Sequence, residues 1–226
     1  MSLEMDQMIV NFSFLPNLRW ADGLPLTADD SVYAFDLATV SKNAASKFLL
    51  TRTEAYEAAD ELSTVWTGLP GYRDNDYMSN FWQPLPYHAW SEFSAAELVG
   101  SDVASRFPIG WGAFVVDEWI PNESITLKKN PLYYRAHEGL PKVDVLTFLF
   151  ISDPNAAIAA LVDKECDALD PSIPLDGQVS LLQKFEASGQ LKLYTAEEMS
   201  VESLHFGIKP ASHDDGTVSS KDRLPI

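Results

Sequence analysis

Two punctuated stretches of the chain hold the residues best suited to contact a ligand. Residues 19–30 read R-W-A-D-G-L-P-L-T-A-D-D and residues 108–114 read P-I-G-W-G-A-F. Neither stretch contains a nucleophile beside a base, a phosphate loop or a set of metal ligands. In the second stretch Trp111 lies between two glycines, which let the backbone approach another group closely. Its indole suits either core packing against the following hairpin or a cleft wall that offers a ligand a flat apolar face.

The other residue types give no catalytic or metal-binding pattern. The four histidines are far apart in the sequence and none belongs to an H-E-x-x-H zinc motif: His88, His137, His205 and His213. Residues 110–112 form G-x-G but lack the third glycine of a nucleotide-binding motif. Residues 74–76 and 214–216 resemble parts of a calcium loop, but neither continues to the glutamate that such a loop requires. No pair stands out among the 33 acidic residues. We therefore predict no catalytic residue, no metal site and no cofactor.

The charge balance excludes two classes of partner. Sixteen Lys and Arg against 33 Asp and Glu give a net charge of −17, which repels nucleic acid phosphates and anionic lipid.

Cys166 is the single cysteine, so no intrachain disulfide can form. Residues 1–6 show no basic stretch or apolar core of a secretion signal, and no apolar run approaches the roughly 20 residues that span a bilayer.

Strands and helices must position these stretches. In the first half of the chain, local sequence signals predict elements of both kinds. We predict strand 8–15, a turn at 21–25 with Gly23 at positive φ, and a helix capped by Thr27 that runs to about Ser41. Paired strands 51–59 and 62–67 are predicted around a turn near Asp60-Glu61, followed by short helices within 74–82 and 91–104, the second with Ser94 as its cap. Asp36 falls within the apolar arc of the first long helix. We expect that helix to be only partly covered there.

The second half predicts a strand–helix–strand unit. The first elements are hairpin strands 113–120 and 125–129, strand 143–151 and a helix begun by Asp153-Pro154. They are followed by strand 166–169, helix 175–187 closed by Gly189, and strands 191–196 and 201–209. Residues 143–151 are almost all β-branched or aromatic, which is typical of a strand covered on both faces. The order over 143–169 predicts a right-handed parallel crossover. The fold class is thus α/β of mixed α+β type, with a mixed sheet.

Together these stretches resemble the solute-binding proteins of peptide-type ABC importers, the family of oligopeptide-, dipeptide- and nickel-binding proteins. The family's W-S-D-G-x-P-L-T-A-D-D-V is similar to residues 20–30, and its P-x-G-T-G-P-Y-x-L-x-x-W and I-x-L-x-R-N-P-x-Y-W are similar to 108–119 and 125–134. Its D-x-N-A-x-x-A-L-x-x-G-E-I-D resembles 153–167, and its strand ending in F-N resembles 204–207. Three departures from these motifs occur: Trp111 for Thr, Ala113-Phe114 for Pro-Tyr, and Gly207 for Asn. The last two fall near the family's cleft, so the specificity of a familiar member does not carry over.

The resemblance implies part of a periplasmic-binding-protein-like fold, in which a large lobe of two subdomains faces a second lobe across a hinge. Residues 1–107 would be the smaller inserted α+β subdomain, 108–212 the mixed-sheet core of the large lobe, and 213–226 a loop leading to the second lobe. The chain would then be a fragment without the second lobe. That lobe carries the family's anchors for the amino terminus of a peptide.

The resemblance also implies a function without enzymatic activity. The complete protein would capture a small solute, with an oligopeptide or dipeptide favoured, in the periplasm or as a cell-surface lipoprotein, and deliver it to a membrane permease. On the cleft side we place Trp111, His205 and Phe206 as ligand-binding residues. The complete protein is expected to be monomeric. The chain alone would bind solute weakly because one lobe leaves the ligand open to water, and its uncovered sheet edges could lead to self-association.

Two alternatives to a solute-binding protein remain open at this stage. One is an acid hydrolase whose carboxylates are not recognisable in the sequence. The other is a protein–protein interaction module, whose sign would be a large exposed aromatic patch.

Overall fold

The computed structural model describes residues 5–41, 47–170 and 172–194. The chain divides into two compact units, Met1–Ile151 and Ser152–Ile226. Both helices and strands are present, so the predicted mixed fold class is confirmed. Among the described residues, no helix combines the length and apolar character that a membrane span requires.

The first sheet of unit one is antiparallel, with strand order β1-β3-β2. Its strands are β1 (Ile9–Ser13), β2 (Thr53–Asp60) and β3 (Ser63–Gly68). The turn between β2 and β3 is closed by Asp60, whose carboxylate accepts a hydrogen bond from the Leu62 amide at 2.8 Å. All three strands were predicted. They can be recognised from the sequence because the alternation of apolar and polar residues and the acidic turn each lie within a few residues.

Helix α1 (Ala28–Val40) lies against this sheet and begins after the predicted cap Thr27. The core it shares with the sheet is mainly aromatic and contains Phe12, Ala34, Tyr56, Trp66 and Trp82. Asp36 is exposed, as expected for a helix covered on one side only. At the end of β3 the sheet requires glycine, since a Cβ on Gly68 would stand 2.5 Å from the Trp66 ring.

The short helix α2 (Lys47–Leu50) lies between α1 and β2. The helical segments after β3 are a 3-10 turn (Tyr77–Asn80), α3 (Tyr87–Trp90), α4 (Ala95–Gly100) and α5 (Asp102–Ser105). Ser94 caps α4 as predicted. The start of β2 is fixed to the loop before the 3-10 turn by a buried ion pair of 3.2 Å between Arg52 and Asp74.

The second sheet of unit one is also antiparallel, in the order β4-β5-β6. Its strands are β4 (Phe114–Ile120), β5 (Ser124–Lys129) and β6 (Val145–Leu149). The predicted hairpin of β4 and β5 is confirmed. The expectation that the next strand is covered on both faces is wrong, since four of the five β6 residues are exposed. Within the described residues β6 is an edge strand that pairs with β5 alone, and its side chains on both faces are open to solvent. β-branched and aromatic residues favour a strand but do not specify what packs on its faces.

Unit two contains helices α6 (Pro154–Val162) and α7 (Val179–Ala187), with a 3-10 turn (Asp176–Gln178) before α7. Asp153 caps α6 by accepting the Asn155 amide at 2.9 Å, and Gly189 follows α7 at φ 72°, as predicted. The buried apolar side chains of this unit are Ala157, Ile158, Ala160 and Leu182.

Within the described residues of unit two, neither the predicted strand 166–169 nor the described part of the predicted strand 191–196 is formed. The segment 166–169 is irregular because the amides of Glu165 and Cys166 donate to the Ala160 carbonyl, at 2.8 and 3.1 Å, and so close the end of α6. Residues 191–194 are also irregular, and the predicted strand 201–209 lies outside the described residues. A strand needs a hydrogen-bonded neighbour, and none reaches 166–169 within the described part of the chain. The parallel crossover predicted over 143–169 is therefore not formed there.

Candidate functional site

The turn at residues 20–25 is held by its own backbone. Gly23 has φ 95°, and its amide donates to the Trp20 carbonyl at 2.9 Å. The Trp20 amide donates to Leu24 O at 2.9 Å, and the Asp22 carboxylate accepts the Leu24 amide at 3.1 Å. The D-G pair thus forms the tight turn that its residue types predict.

The last aspartate of the same stretch joins three segments. Asp30 is 4% exposed and its Oδ2 accepts the Trp20 indole at 3.1 Å and the Thr27 amide at 2.9 Å. Its Oδ1 accepts the amide of Tyr87, the first residue of α3, at 3.1 Å. These bonds satisfy the carboxylate within the protein, so Asp30 positions the site and is not a ligand contact. The T-x-x-D spacing of a capping box signals the Thr27 contact, but nothing local signals Tyr87.

The second punctuated stretch docks on the first. The amide of Ala21 donates to the Gly110 carbonyl at 2.8 Å. Ile109 and Trp111 pack against a buried cluster formed by Leu18, Trp20 and Leu26. The two stretches, about 90 residues apart in sequence, therefore form one local structure.

A third segment, residues 130–132, fixes the glycines around Trp111. Asn130 is fully buried, and its Nδ2 donates to the Gly112 carbonyl at 2.9 Å. Its own amide donates to Ala113 O at 2.9 Å, and its Oδ1 accepts the Leu132 amide at 2.9 Å. Sequence reasoning assigned no role to Asn130. The N-P-x-Y pattern indicates a turn at this position. It does not indicate that the side-chain amide of Asn130 donates to Gly112.

Trp111 is the one predicted ligand-binding residue that lies within the described residues, since His205 and Phe206 fall outside them. Its indole is partly buried. The buried residues it packs on come from the 18–26 segment, whereas the sequence suggested packing against the following hairpin. Part of the ring is therefore used in packing and part remains exposed to solvent.

A histidine–carboxylate pair lies at the edge of this local structure. His88 Nε2 is 2.8 Å from Asp22 Oδ2, both side chains are partly exposed, and the imidazole is 6.0 Å from the Trp20 ring between centroids. Within the described residues, no Ser, Thr or Cys side chain hydrogen-bonds to this imidazole. A histidine without a neighbouring nucleophile lacks the arrangement that acyl transfer needs.

Two tyrosines near the site have a raised pKa, which favours their neutral form. Burial raises the pKa of the Tyr33 hydroxyl, with a smaller effect from Tyr87, and this hydroxyl donates to Trp90 O at 3.0 Å. Desolvation, followed by the hydrogen bond to Tyr134, raises the pKa of Tyr133. Across the described ranges, no three His, Cys, Asp or Glu side chains come together as metal ligands. The described geometry is suited to holding a molecule by surface contact.

Comparison of the sequence with known proteins identifies a matching family. The model of the bacterial extracellular solute-binding proteins, family 5 Middle, matches residues 4–215. A Brucella ovis protein named for peptide binding in an ABC transporter is 34% identical over 160 residues, which cover 69% of this chain and 29% of that protein. A periplasmic protein of Escherichia coli K12, named for deoxycholate binding, is 30% identical over 155 residues, covering 60% of this chain and 28% of that protein.

The fold is shared with a solved structure, the oligopeptide-binding protein AppA from Bacillus subtilis in complex with a nonapeptide. The TM-score is 0.60 at 26% identity, and the match covers 70% of this chain and 31% of that one. This likeness confirms the predicted periplasmic-binding-protein-like fold. The chain spans less than a third of the length of the curated relatives it matches.

Proposed function

The chain belongs to family 5 of the bacterial extracellular solute-binding proteins, and on that premise we propose that the complete protein captures a solute and delivers it to the permease of an ABC importer. An oligopeptide or dipeptide is the favoured solute. The names of the Brucella protein and of AppA support this class, while the E. coli relative is named for deoxycholate. The proposed location is outside the cytoplasm, in the periplasm or on the cell surface as a lipoprotein.

The observation that carries the proposal is the convergence of three segments beneath Trp111. The amide of Ala21 joins residues 20–30 to Gly110, and Asn130 joins residues 130–132 to Gly112. Asp30 fixes the first of these segments by its bond to the Trp20 indole. The polar groups that hold them are satisfied internally, which leaves the exposed part of the Trp111 indole as a rigid apolar surface. Preorganised aromatic surfaces bind ligands with little loss of side-chain entropy.

We propose that residues 1–107 act as the inserted subdomain and 108–212 as the core of the large lobe. Trp111, His205 and Phe206 would contact the solute from this lobe. The opposing wall would come from the rest of the complete protein, and hinge closure would exclude water from the polar contacts. Without that wall the chain binds solute weakly. The complete protein is proposed to be a monomer that turns over no substrate.

Binding by the complete protein tests the role of Trp111. The solute that co-purifies is identified by mass spectrometry and its affinity is measured by calorimetry. Trp111→Ala should weaken binding by about tenfold or more, as expected for an aromatic anchor, while Trp111→Phe retains part of the affinity. Trp119→Ala, on β4, is the matched control. Equal affinity of Trp111→Ala and the unmodified protein would remove Trp111 from the site.

The hydrolase alternative is tested separately. The complete protein is incubated with chromogenic esters, glycosides and peptides, and we expect no turnover above background. Turnover that disappears in His88→Ala would instead make the pair of His88 and Asp22 catalytic and would contradict the proposed function.

A further inference from the structure

The backbone on either side of Trp111 accepts hydrogen bonds from other segments. The Gly110 carbonyl accepts the Ala21 amide at 2.8 Å, and the Gly112 carbonyl accepts Nδ2 of Asn130 at 2.9 Å. Packing does not confine the second glycine, since a Cβ on Gly112 would meet no heavy atom within 4 Å among the described residues beyond its chain neighbours. The position of Trp111 therefore depends on where these two donors lie.

Ala21 belongs to a turn that has few hydrogen bonds to other elements. Within the described part of the chain, residues 19–25 make three such bonds, two of them from the Trp20 indole and the Ala21 amide. The third joins the tip of the turn to α3, because Oδ2 of Asp22 lies 2.8 Å from Nε2 of His88. His88 is therefore the residue that holds the tip of the turn.

The imidazole of His88 is a hydrogen-bond donor in a fixed position. A carboxylate only accepts hydrogen bonds, so Nε2 carries the hydrogen whether the imidazole is neutral or charged. Helix α3, which carries His88, is bonded at both of its ends. The amide of Tyr87 donates to Asp30 at 3.1 Å, and the carbonyl of Trp90 accepts the Tyr33 hydroxyl at 3.0 Å. A short helix held in this way presents the imidazole to the turn from a constant place.

Two routes connect His88 to Trp111. The first follows the backbone, since the residue before Asp22 donates to Gly110, the neighbour of Trp111. The second passes through side chains, since the imidazole lies 6.0 Å from the Trp20 ring between centroids, and Trp111 packs against the buried cluster that contains Trp20. A change at His88 can thus reach the indole of Trp111 without any contact between the two side chains.

We propose that His88 is a positioning residue of the solute site, whose bond to Asp22 holds the turn and so fixes the indole of Trp111 for contact with the solute. The inference rests on the proposed function and deepens it. Loss of the bond lowers the fraction of molecules in which Trp111 is in place, and the apparent affinity falls with that fraction. A single hydrogen bond limits this loss to about threefold to tenfold.

Fluorine NMR of the complete protein, labelled with fluorotryptophan, tests the positioning without any solute. The resonance of Trp111 is the one that is absent from Trp111→Phe. In His88→Phe, which keeps a ring but has no donor, this resonance should shift or broaden, because the indole is held less firmly. In His88→Gln, whose amide donates in the place of Nε2, it should stay unchanged. The matched control is His137→Phe, since the imidazole of His137 is exposed and bonds within its own turn.

The resonance of Trp66, which is fully buried in the core of the first sheet, separates positioning from a general loss of stability. It should be the same in His88→Phe and in the unmodified protein. An unchanged Trp111 resonance in His88→Phe would overturn the proposal. An equal change at Trp66 would also overturn it, because the substitution would then act on the whole fold.

Affinity for a synthetic mixture of dipeptides and oligopeptides, measured by calorimetry on the complete protein, gives a second readout. His88→Phe should bind about threefold to tenfold more weakly, and His88→Gln should stay within about twofold of the unmodified protein. Equal losses in the two variants would contradict a role of the donor and reject the proposal. An unmodified protein that binds no peptide would count against the proposed function, whereas the fluorine spectra would still decide the role of His88.

Discussion

The carboxylate of Asp30 joins residues that lie far apart in the sequence. It binds the side chain of Trp20, the amide that precedes α1 and the amide that begins α3. A carboxylate that is 4% exposed is costly to bury unless its oxygens accept hydrogen bonds. Asp30 therefore acts at the scale of a single residue to position the whole turn beneath Trp111.

We expect Asp30→Ala to be strongly destabilising. The substitution leaves one buried donor, the Trp20 indole, and two partly buried amides without an acceptor, and an unsatisfied buried donor costs about 1–3 kcal/mol. Urea denaturation followed by far-UV circular dichroism should show a loss of about 2–4 kcal/mol in the free energy of unfolding. The neighbouring Asp29 is exposed, so Asp29→Ala should cost less than about 1 kcal/mol. Equal losses in the two variants would show that the buried network does not matter.

Asn130 offers a second test at the same scale. Asn130→Asp removes the donor to Gly112 O and places a carboxylate oxygen against that carbonyl. We expect a loss of about 1–3 kcal/mol in the free energy of unfolding. Hydrogen exchange at the amide of Ala21, which donates to Gly110 O, should become faster. The control is Asn122→Asp in the exposed hairpin loop, and exchange at Ala21 that is the same in both variants would contradict the role of Asn130.

At the scale of elements, helix α4 shows how a local contact couples to pH. Hydrogen bonds from the Ser94 hydroxyl, and then from the Ser94 amide, hold the pKa of Glu97 below its ordinary value. A carboxyl whose folded pKa is depressed stabilises the fold above its unfolded pKa, and this contribution is lost as the pH falls through the folded value. The first turn of α4 should thus loosen on acidification below the ordinary range of glutamate.

An NMR titration of the Glu97 carboxyl carbon checks this expectation. In Ser94→Ala the pKa of Glu97 should rise toward the ordinary glutamate value, because the hydroxyl donor, the largest cause of the shift, is removed. Ser101→Ala, at the other end of α4, should leave the pKa of Glu97 unchanged. A pKa of Glu97 that is the same in the Ser94 variant would assign the shift to another cause.

At the scale of the whole molecule, the net charge of −17 opposes any contact between copies. This repulsion acts over a long range, and salt screens it. The charge therefore favours separate copies of the chain at low ionic strength.

The sequence by itself determined the features whose causes lie within a few residues. The Asp22-Gly23 turn, the caps at Ser94 and Asp153, and the paired strands around Asp60 form as predicted, because hydrogen bonds between near neighbours decide them. The mixed fold class followed from the same signals. The family motifs placed Trp111 in a ligand-binding segment, and that assignment remains a prediction.

Only the tertiary structure decided what lies opposite these segments. The bonds from Tyr87 to Asp30, from Ala21 to Gly110 and from Asn130 to Gly112 join residues that no local pattern connects. For the same reason the strand predicted at 166–169 was wrong, since its first amide closes helix α6. A helix satisfies most of its backbone groups within its own residues, whereas a strand or a binding surface depends on partners that a local sequence pattern does not specify.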